Sequence, residues 1–124
     1  MKIKESAENY LEAILMLKAQ NGSVRSIDIA NYLNFTKPSV SVAMKSFREE
    51  GYITVDDAGS ISLTDKGKEI AEKMYERHQI IALALIALGV DETIAYEDSC
   101  KIEHDISNES FEAIKNHLKQ RHVL

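Results

Sequence analysis

The sequence predicts a mainly α-helical protein, in which three helices and a β-hairpin form a winged helix-turn-helix and a second helical unit follows. Three observations support this prediction. Amphipathic helical segments come first, two β-rich runs around a Gly-containing turn come next, and three further helical segments complete the chain. We place the domain boundary after residue 63, so that the two domains span residues 1–63 and 64–124.

Helical periodicity and capping residues place each element along the chain. The first three helices are predicted at Ala7–Ala19, Ile27–Leu33 and Lys37–Glu50. The two strands are predicted within residues 52–55 and 60–63, and the later helices at Asp65–Leu88, Glu92–Asp105 and Asn108–Lys119. Helix N-caps are predicted at Ser26, Thr36, Thr64, Asp91 and Ser107.

Composition restricts the class of protein. Of the 124 residues, 44% are hydrophobic and 28% charged, which are globular values. The single cysteine, Cys100, excludes an internal disulfide and suits a reducing compartment. The longest apolar run, Ile80–Leu88, is far shorter than the roughly 20 residues of a membrane-spanning helix. We therefore expect a cytoplasmic protein with no membrane partner, and its net charge of −5 counts against nonspecific coating of nucleic acid.

The second and third helices predict a DNA-reading helix-turn-helix. Apolar side chains on both helices, including Ile27, Val40 and Phe47, are expected to pack inward. The opposite face of the third helix carries hydroxyl, cationic and small apolar groups suited to phosphates, base edges and thymine methyls. These candidate DNA-binding residues are Thr36, Lys37, Pro38, Ser39, Ser41, Val42, Lys45 and Arg48. At the wing tip, Asp56 and Asp57 would repel phosphates, so we expect that tip to contribute little affinity.

A candidate metal site lies in the second domain. Cys100, Glu103 and His104 are spaced i, i+3 and i+4, which projects them from one face of the predicted helix. A thiolate, a carboxylate and an imidazole make a half-site for a divalent transition metal. His78 is a further candidate and lies within an apolar stripe, so it could equally be a buried histidine bonded to a neighbour. On the first helix, Asn9 and Glu12 are either further ligands or solvated polar surface.

Five sequence motifs together resemble the DtxR/MntR family of metal-dependent, iron- or manganese-responsive transcriptional repressors. They are SAENYLEAIL, TKPSVSVAMKSFREEGYI, LTDKGKEIA, ERHQII and CKIEHDIS. The resemblance implies that a divalent metal acts as corepressor and that the protein binds a palindromic operator in double-stranded DNA as a homodimer, controlling metal-homeostasis genes. It also implies a short form without the SH3-like domain of the long members.

The family's metal positions fall on Asn9, Glu12, His78, Cys100, Glu103 and His104. Cys100 matches iron-type members, where manganese-type members carry Glu, so the resemblance favours Fe²⁺ over Mn²⁺. Asn9 matches neither type. Two ligands of the second iron-type site are replaced by Ala82 and Tyr96, so His78 could join a merged site with Glu103, or Glu97 could substitute.

The expected mechanism is a metal that joins helix one to the later ligands and fixes the angle between the two units. In a dimer, that angle would set the recognition helices about 34 Å apart. The run Ile80–Leu88 is the predicted dimer seam. One alternative keeps the fold: a MarR-like winged-helix regulator that senses a small organic ligand, or a redox signal through Cys100. Another is a purely structural metal site that is always filled. No enzyme is expected, because HExxH is absent and no paired acid and base lies beside an obvious open metal position.

Overall fold

The computed structural model describes residues 5–124, so the first four residues of the predicted N-terminal domain lie outside the described part. The chain divides into two compact units, residues 1–72 and 73–124. The helices in chain order are α1 (Glu5–Asn21), α2 (Ser26–Leu33), α3 (Lys37–Glu49), α4 (Asp65–Ala87), α5 (Glu92–Ile102) and α6 (Asn108–Gln120). The strands β1 (Ile53–Val55) and β2 (Ile61–Leu63) separate α3 from α4. The structure thus confirms the predicted class, a mainly helical fold with one small hairpin.

The first unit is built on one apolar core. Residues at helical spacing on α1, such as Leu11 and Ile14, are fully buried, and α3 contributes Val40 and Phe47 to the same cluster. The hairpin closes this core, with Ile53 among its buried residues. Because α3 buries one side of its length here, its other side is left on the surface.

The hairpin is short and antiparallel, pairing Ile53 with Leu63 and Val55 with Ile61. Its turn is held by Asp56, whose carboxylate oxygen accepts hydrogen bonds from the backbone N–H of Ala58 at 3.0 Å and of Ser60 at 2.8 Å. Asp56 therefore stabilises the turn of the hairpin, in addition to placing a negative charge at the wing tip.

Local capping explains most helix starts. The predicted N-caps Thr36, Asp91 and Ser107 are confirmed, since each side chain accepts a backbone N–H two or three residues ahead. Ser26 was wrongly predicted as a cap, because it is the first residue of α2 and Arg25 takes the cap position. There the Asp28 carboxylate accepts a hydrogen bond from the backbone N–H of Arg25 at 2.9 Å. A side chain inside the helix thus bonds back to the cap residue, instead of the cap side chain bonding forward into the helix.

The second unit consists of the later part of α4 with α5 and α6, around a core of Ile80, Ile81, Phe111 and Leu118. The apolar run 80–88 changes character along its length, from buried Ile80 to Leu88, which is 82% exposed. None of the helices among residues 5–124 is both long and apolar enough to span a membrane.

The predicted helix Glu92–Asp105 is too long, because α5 ends at Ile102. The reason is a contact from α4. Arg77 donates to the backbone carbonyl oxygens of Glu103 at 3.0 Å and Ile106 at 2.9 Å, and these bonds hold a turn in place of further helix. Ser107 then caps α6 immediately afterwards.

Candidate metal centre and nucleic-acid interface

The candidate metal centre is organised around Glu103, whose side chain is 0% exposed. One carboxylate oxygen, Oε2, lies 3.0 Å from Nδ1 of His78. The other, Oε1, has no hydrogen bond to any residue that the structure describes, and it lies 3.4 Å from Nε2 of His104. A buried carboxylate with one oxygen unsatisfied is costly unless a positive group compensates it, so this position favours a cation.

His78 faces Glu103 from α4, and several acceptors converge on its ring nitrogen Nδ1. The Ser99 hydroxyl oxygen lies 2.8 Å away and the Cys100 thiol 3.5 Å away, in addition to the Glu103 carboxylate. The Ser99 hydroxyl donates its own proton to the carbonyl oxygen of Tyr96, so its oxygen is free to accept. Hydrogen bonds to Cys100 and Glu103 raise the pKa of His78 to about 10.

The donor set in the second unit fits a divalent transition metal. His78 and His104 offer imidazole nitrogens, Glu103 a carboxylate and Cys100 a thiol, which are the ligand types that Fe²⁺ and Zn²⁺ use in proteins. Nδ1 of His78 can donate only one proton to the acceptors around it. The observation that favours a cation at this place is the buried oxygen of Glu103 that has no hydrogen bond among the described residues.

The structure changes how these residues come together. The prediction that Cys100, Glu103 and His104 project from one helix face is wrong in part, because only Cys100 lies within α5. Glu103 is the C-cap and His104 follows in the turn, both placed by the early end of the helix. The three still belong to one cluster, because Cys100 and Glu103 contact His78 and His104 faces Glu103.

Other residues singled out from the sequence have different surroundings. Glu97 is exposed on α5, Ala82 is fully buried, and the Tyr96 hydroxyl donates to the Gln79 side chain at 3.3 Å. Asn9 and Glu12 are partly buried on α1, in the first unit.

Sequence reasoning missed two residues, Ser99 and Arg77. Ser99 is small and polar and does not contribute to an apolar periodicity. Arg77 was expected to be exposed, because arginine is rarely fully buried. The position of Arg77 beside His78 in ERHQII was the one available clue.

The candidate nucleic-acid interface is the exposed side of α3. All eight predicted DNA-binding residues, from Thr36 to Arg48, are exposed, and Val42 is 72% exposed. Thr36 has a structural role as well, since its hydroxyl donates to the Ser39 hydroxyl at 2.8 Å and accepts the Ser39 backbone N–H. The surface therefore offers cationic, hydroxyl and small apolar groups on one rigid helix.

The candidate interface extends onto α2. A notch of about 250 Å³ is lined by Ser26 and Ile27 from α2 and by Lys37 and Ser41 from α3. The prediction that Ile27 packs inward is wrong, because its side chain is 39% exposed at this notch. Ile29, two residues later, was predicted to pack inward as well, and it is fully buried. Ser26 and Ile27 are thus additional candidates for contact with DNA.

Family models match both parts of the chain. Residues 2–60 match the N-terminal DNA-binding domain of iron-dependent repressors, and residues 64–123 match their metal-binding and dimerisation domain. The transcriptional regulator MntR of Salmonella typhimurium is 33% identical over 110 residues, covering 89% of this chain and 70% of that protein. The chain belongs to the DtxR/MntR family of metal-dependent transcriptional repressors. Its resemblance in sequence to this family is confirmed.

Two further relatives extend this comparison. An uncharacterised HTH-type transcriptional regulator of Methanocaldococcus jannaschii is 36% identical over 115 residues, covering 91% of this chain and 92% of that protein. The solved structure of the manganese regulator SloR has a TM-score of 0.79 and 25% identity, covering 96% of this chain and 55% of that one. The chain thus spans about half the length of SloR. The family consists of transcriptional regulators with a winged-helix DNA-binding domain and a helical dimerisation domain.

Proposed function

We propose that this protein is a DNA-binding transcriptional repressor that uses a divalent metal as its corepressor, with Fe²⁺ preferred over Mn²⁺. The observation that carries the proposal is the fully buried Glu103 carboxylate, with one oxygen unsatisfied and two imidazoles beside it. A buried carboxylate oxygen without a hydrogen bond costs stability, and a bound cation would offset that cost.

The proposed metal ligands in the second unit are His78, Cys100, Glu103 and His104. By the family's metal positions, Glu12 and Asn9 of α1 complete the set. When bound, the metal supplies a positive charge that these donors share. The protein ligands would contribute differently. Glu103 would neutralise part of the metal's charge, the imidazoles of the two histidines would fix the directions of its bonds, and Cys100 would select for a softer ion.

Cys100 is the basis for the proposed metal preference. Affinity for most sites rises from Mn²⁺ to Fe²⁺, and a thiolate ligand strengthens that order, whereas carboxylate ligands suit Mn²⁺. Under anaerobic competition we expect the wild-type protein to bind Fe²⁺ more tightly than Mn²⁺, and Cys100→Glu to narrow the difference. Tighter binding of Mn²⁺ by the wild-type protein would reverse the assignment.

The proposed DNA target is a palindromic operator bound by a homodimer. A domain of residues 1–63 would present α3 to the major groove, and a domain of residues 64–124 would dimerise, with Ile80–Leu88 as the seam. Two recognition helices must enter grooves one helical turn apart, roughly 34 Å. We propose that the metal favours the dimer geometry that meets this spacing, so that metal-homeostasis genes are repressed when metal is plentiful. The protein would act in the cytoplasm and carry out no catalysis.

The test is an anaerobic titration of DNA binding with Fe²⁺, Mn²⁺ and Zn²⁺, on a duplex that this protein selects from a random pool. We expect each active metal to strengthen binding, and Cys100→Ala and Glu12→Ala to weaken the response while both variants stay folded. Glu112→Ala, an exposed change on α6, is the matched control. DNA binding that is unaffected by all three metals would overturn the proposal and favour a MarR-like regulator. An unchanged response in Glu12→Ala would remove α1 from the site.

A further inference from the structure

Arg77 is a charged side chain that is almost wholly buried, with 6% of its surface exposed. Nη1 donates to the carbonyl oxygens of Glu103 and Ile106, at 3.0 and 2.9 Å. The centre of the guanidinium also lies 5.3 Å from the ring centroid of Phe111 on α6. Burying a cation is costly unless hydrogen bonds compensate it, and here the two bonds of Nη1 compensate part of that cost, since Nε has no hydrogen bond among the described residues.

The segment that Arg77 holds carries two of the candidate ligands. Residues 103–106 form the turn between α5 and α6, and this turn begins with Glu103 and His104. The end of a helix leaves carbonyl groups without partners, and here one guanidinium donates to two carbonyls of the turn.

Two consecutive residues of α4 therefore contact both the backbone and the side chain of Glu103. Arg77 binds its backbone carbonyl, while His78 contacts its carboxylate at 3.0 Å. The backbone of Glu103 and its side chain are fixed from the same helical turn, which limits the orientations that the carboxylate can take. A guanidinium has no lone pair to offer a metal, so Arg77 can act only through this turn.

We infer that Arg77 is a positioning residue of the metal centre: by binding the carbonyls of Glu103 and Ile106 it fixes the turn that presents Glu103 and His104 to a divalent cation. The inference rests on the proposed function, because it takes these residues to be metal ligands. Loss of a group that orients ligands typically weakens metal affinity by about 10- to 100-fold. We expect a loss of that size when both hydrogen bonds of Arg77 are removed.

The experiment compares Arg77→Met with wild-type protein, using Co²⁺ as the probe. Methionine retains an unbranched chain beside Phe111 and removes both hydrogen bonds. The matched control is Lys115→Met, which removes a cation of α6 that pairs with Glu76 of α4 at 3.1 Å, at a partly exposed position. Co²⁺ affinity and its absorption spectrum report the ligand geometry. Hydrogen exchange of residues 104–107 in metal-free protein reports the turn itself.

We expect Arg77→Met to bind Co²⁺ about 10- to 100-fold more weakly with an altered absorption spectrum, and to exchange the turn amides faster. Lys115→Met should match wild type in all three. Wild-type affinity and spectrum in Arg77→Met would overturn the inference. So would weaker binding with an unchanged spectrum, because that result indicates a general loss of stability rather than changed ligand geometry.

If Arg77→Met does not fold, Arg77→Lys tests the positioning role of Arg77 in its place. An ammonium retains the charge, but its nitrogen lies one bond nearer the backbone than Nη1, and its N–H groups lack the fixed planar directions of the guanidinium. We expect it to fold, to bind Co²⁺ several-fold more weakly and to shift the spectrum, and a wild-type spectrum and affinity would count against the inference. These readouts need no DNA. Metal-independent DNA binding by the wild-type protein would defeat the proposed function, whereas the inference about Arg77 is judged on the variants' Co²⁺ spectra.

Discussion

At the scale of single residues, Glu103 is the centre of the candidate metal site, because one oxygen of its buried carboxylate has no hydrogen bond among the described residues. Its carboxylate is fully buried, and its one hydrogen bond among the described residues is to His78. Metal binding should therefore stabilise the protein strongly, since a ligand that binds only the folded state adds about 2.7 kcal/mol at a hundredfold excess over Kd.

We predict that Glu103→Gln loses this metal-dependent stabilisation while remaining folded without metal, because the amide removes the charge and keeps the shape. Thermal unfolding with and without Mn²⁺ or Zn²⁺ measures the effect. The exposed substitution Glu112→Gln should retain the full rise in Tm. A rise in Tm as large in Glu103→Gln as in wild type would exclude Glu103 as a ligand.

His78 gives a prediction about pH. Its hydrogen bonds to Cys100 and Glu103 raise its pKa from 6.5 to about 10, so the folded protein binds this proton more tightly than the unfolded chain does. The resulting stability is complete below the ordinary pKa and is lost as the pH rises through the folded value. In metal-free protein, wild type should have a higher free energy of unfolding than His78→Gln at pH 7. This difference should shrink as the pH rises from 7 to 10. Denaturant unfolding across this range is the measurement, and a difference that stays constant or grows would contradict the assignment.

At the scale of elements, local signals were sufficient to predict some parts of the fold and not others. Thr36 and Pro38 at the start of α3, and the apolar spacing that follows, specify that helix from adjacent residues alone. The end of α5 could not be predicted in this way, because it depends on Arg77, 26 positions from Glu103 in the sequence. The candidate ligands were thus found by residue type and spacing, while their actual geometry required a tertiary contact.

Gly67 gives the clearest prediction about an element. It lies in the first turns of α4, where alanine normally stabilises a helix by about 1 kcal/mol relative to glycine. Here an added Cβ would lie 2.1 Å from the Tyr52 carbonyl oxygen. We therefore predict that Gly67→Ala destabilises the protein by about 1–3 kcal/mol, as overpacking does. Urea unfolding, with the neighbouring exposed change Lys68→Ala as control, should show a lower midpoint for the glycine variant only. A higher midpoint for Gly67→Ala would show that helix propensity prevails over the contact.

At the scale of the whole molecule, the two proposed functions, DNA binding and metal binding, lie in different parts of the sequence. The candidate DNA-binding surface is formed by α2 and α3, and the candidate metal centre by α4, α5 and the turn after it. If metal and DNA binding are coupled, each must raise the affinity for the other by the same factor, and couplings of about 1–3 kcal/mol are usual. This reciprocity separates a metal sensor from a protein whose metal is purely structural.

We expect a divalent metal bound at Glu103 to control the affinity of this protein for DNA. The most direct test is the ratio of operator affinities with Fe²⁺ and with a chelator, measured anaerobically at constant ionic strength for wild type and for Glu103→Gln. We predict that Fe²⁺ raises the operator affinity of wild type by about 5- to 150-fold over the value with chelator, and leaves that of Glu103→Gln almost unchanged. Equal operator affinity of wild-type protein with Fe²⁺ and with chelator would contradict it.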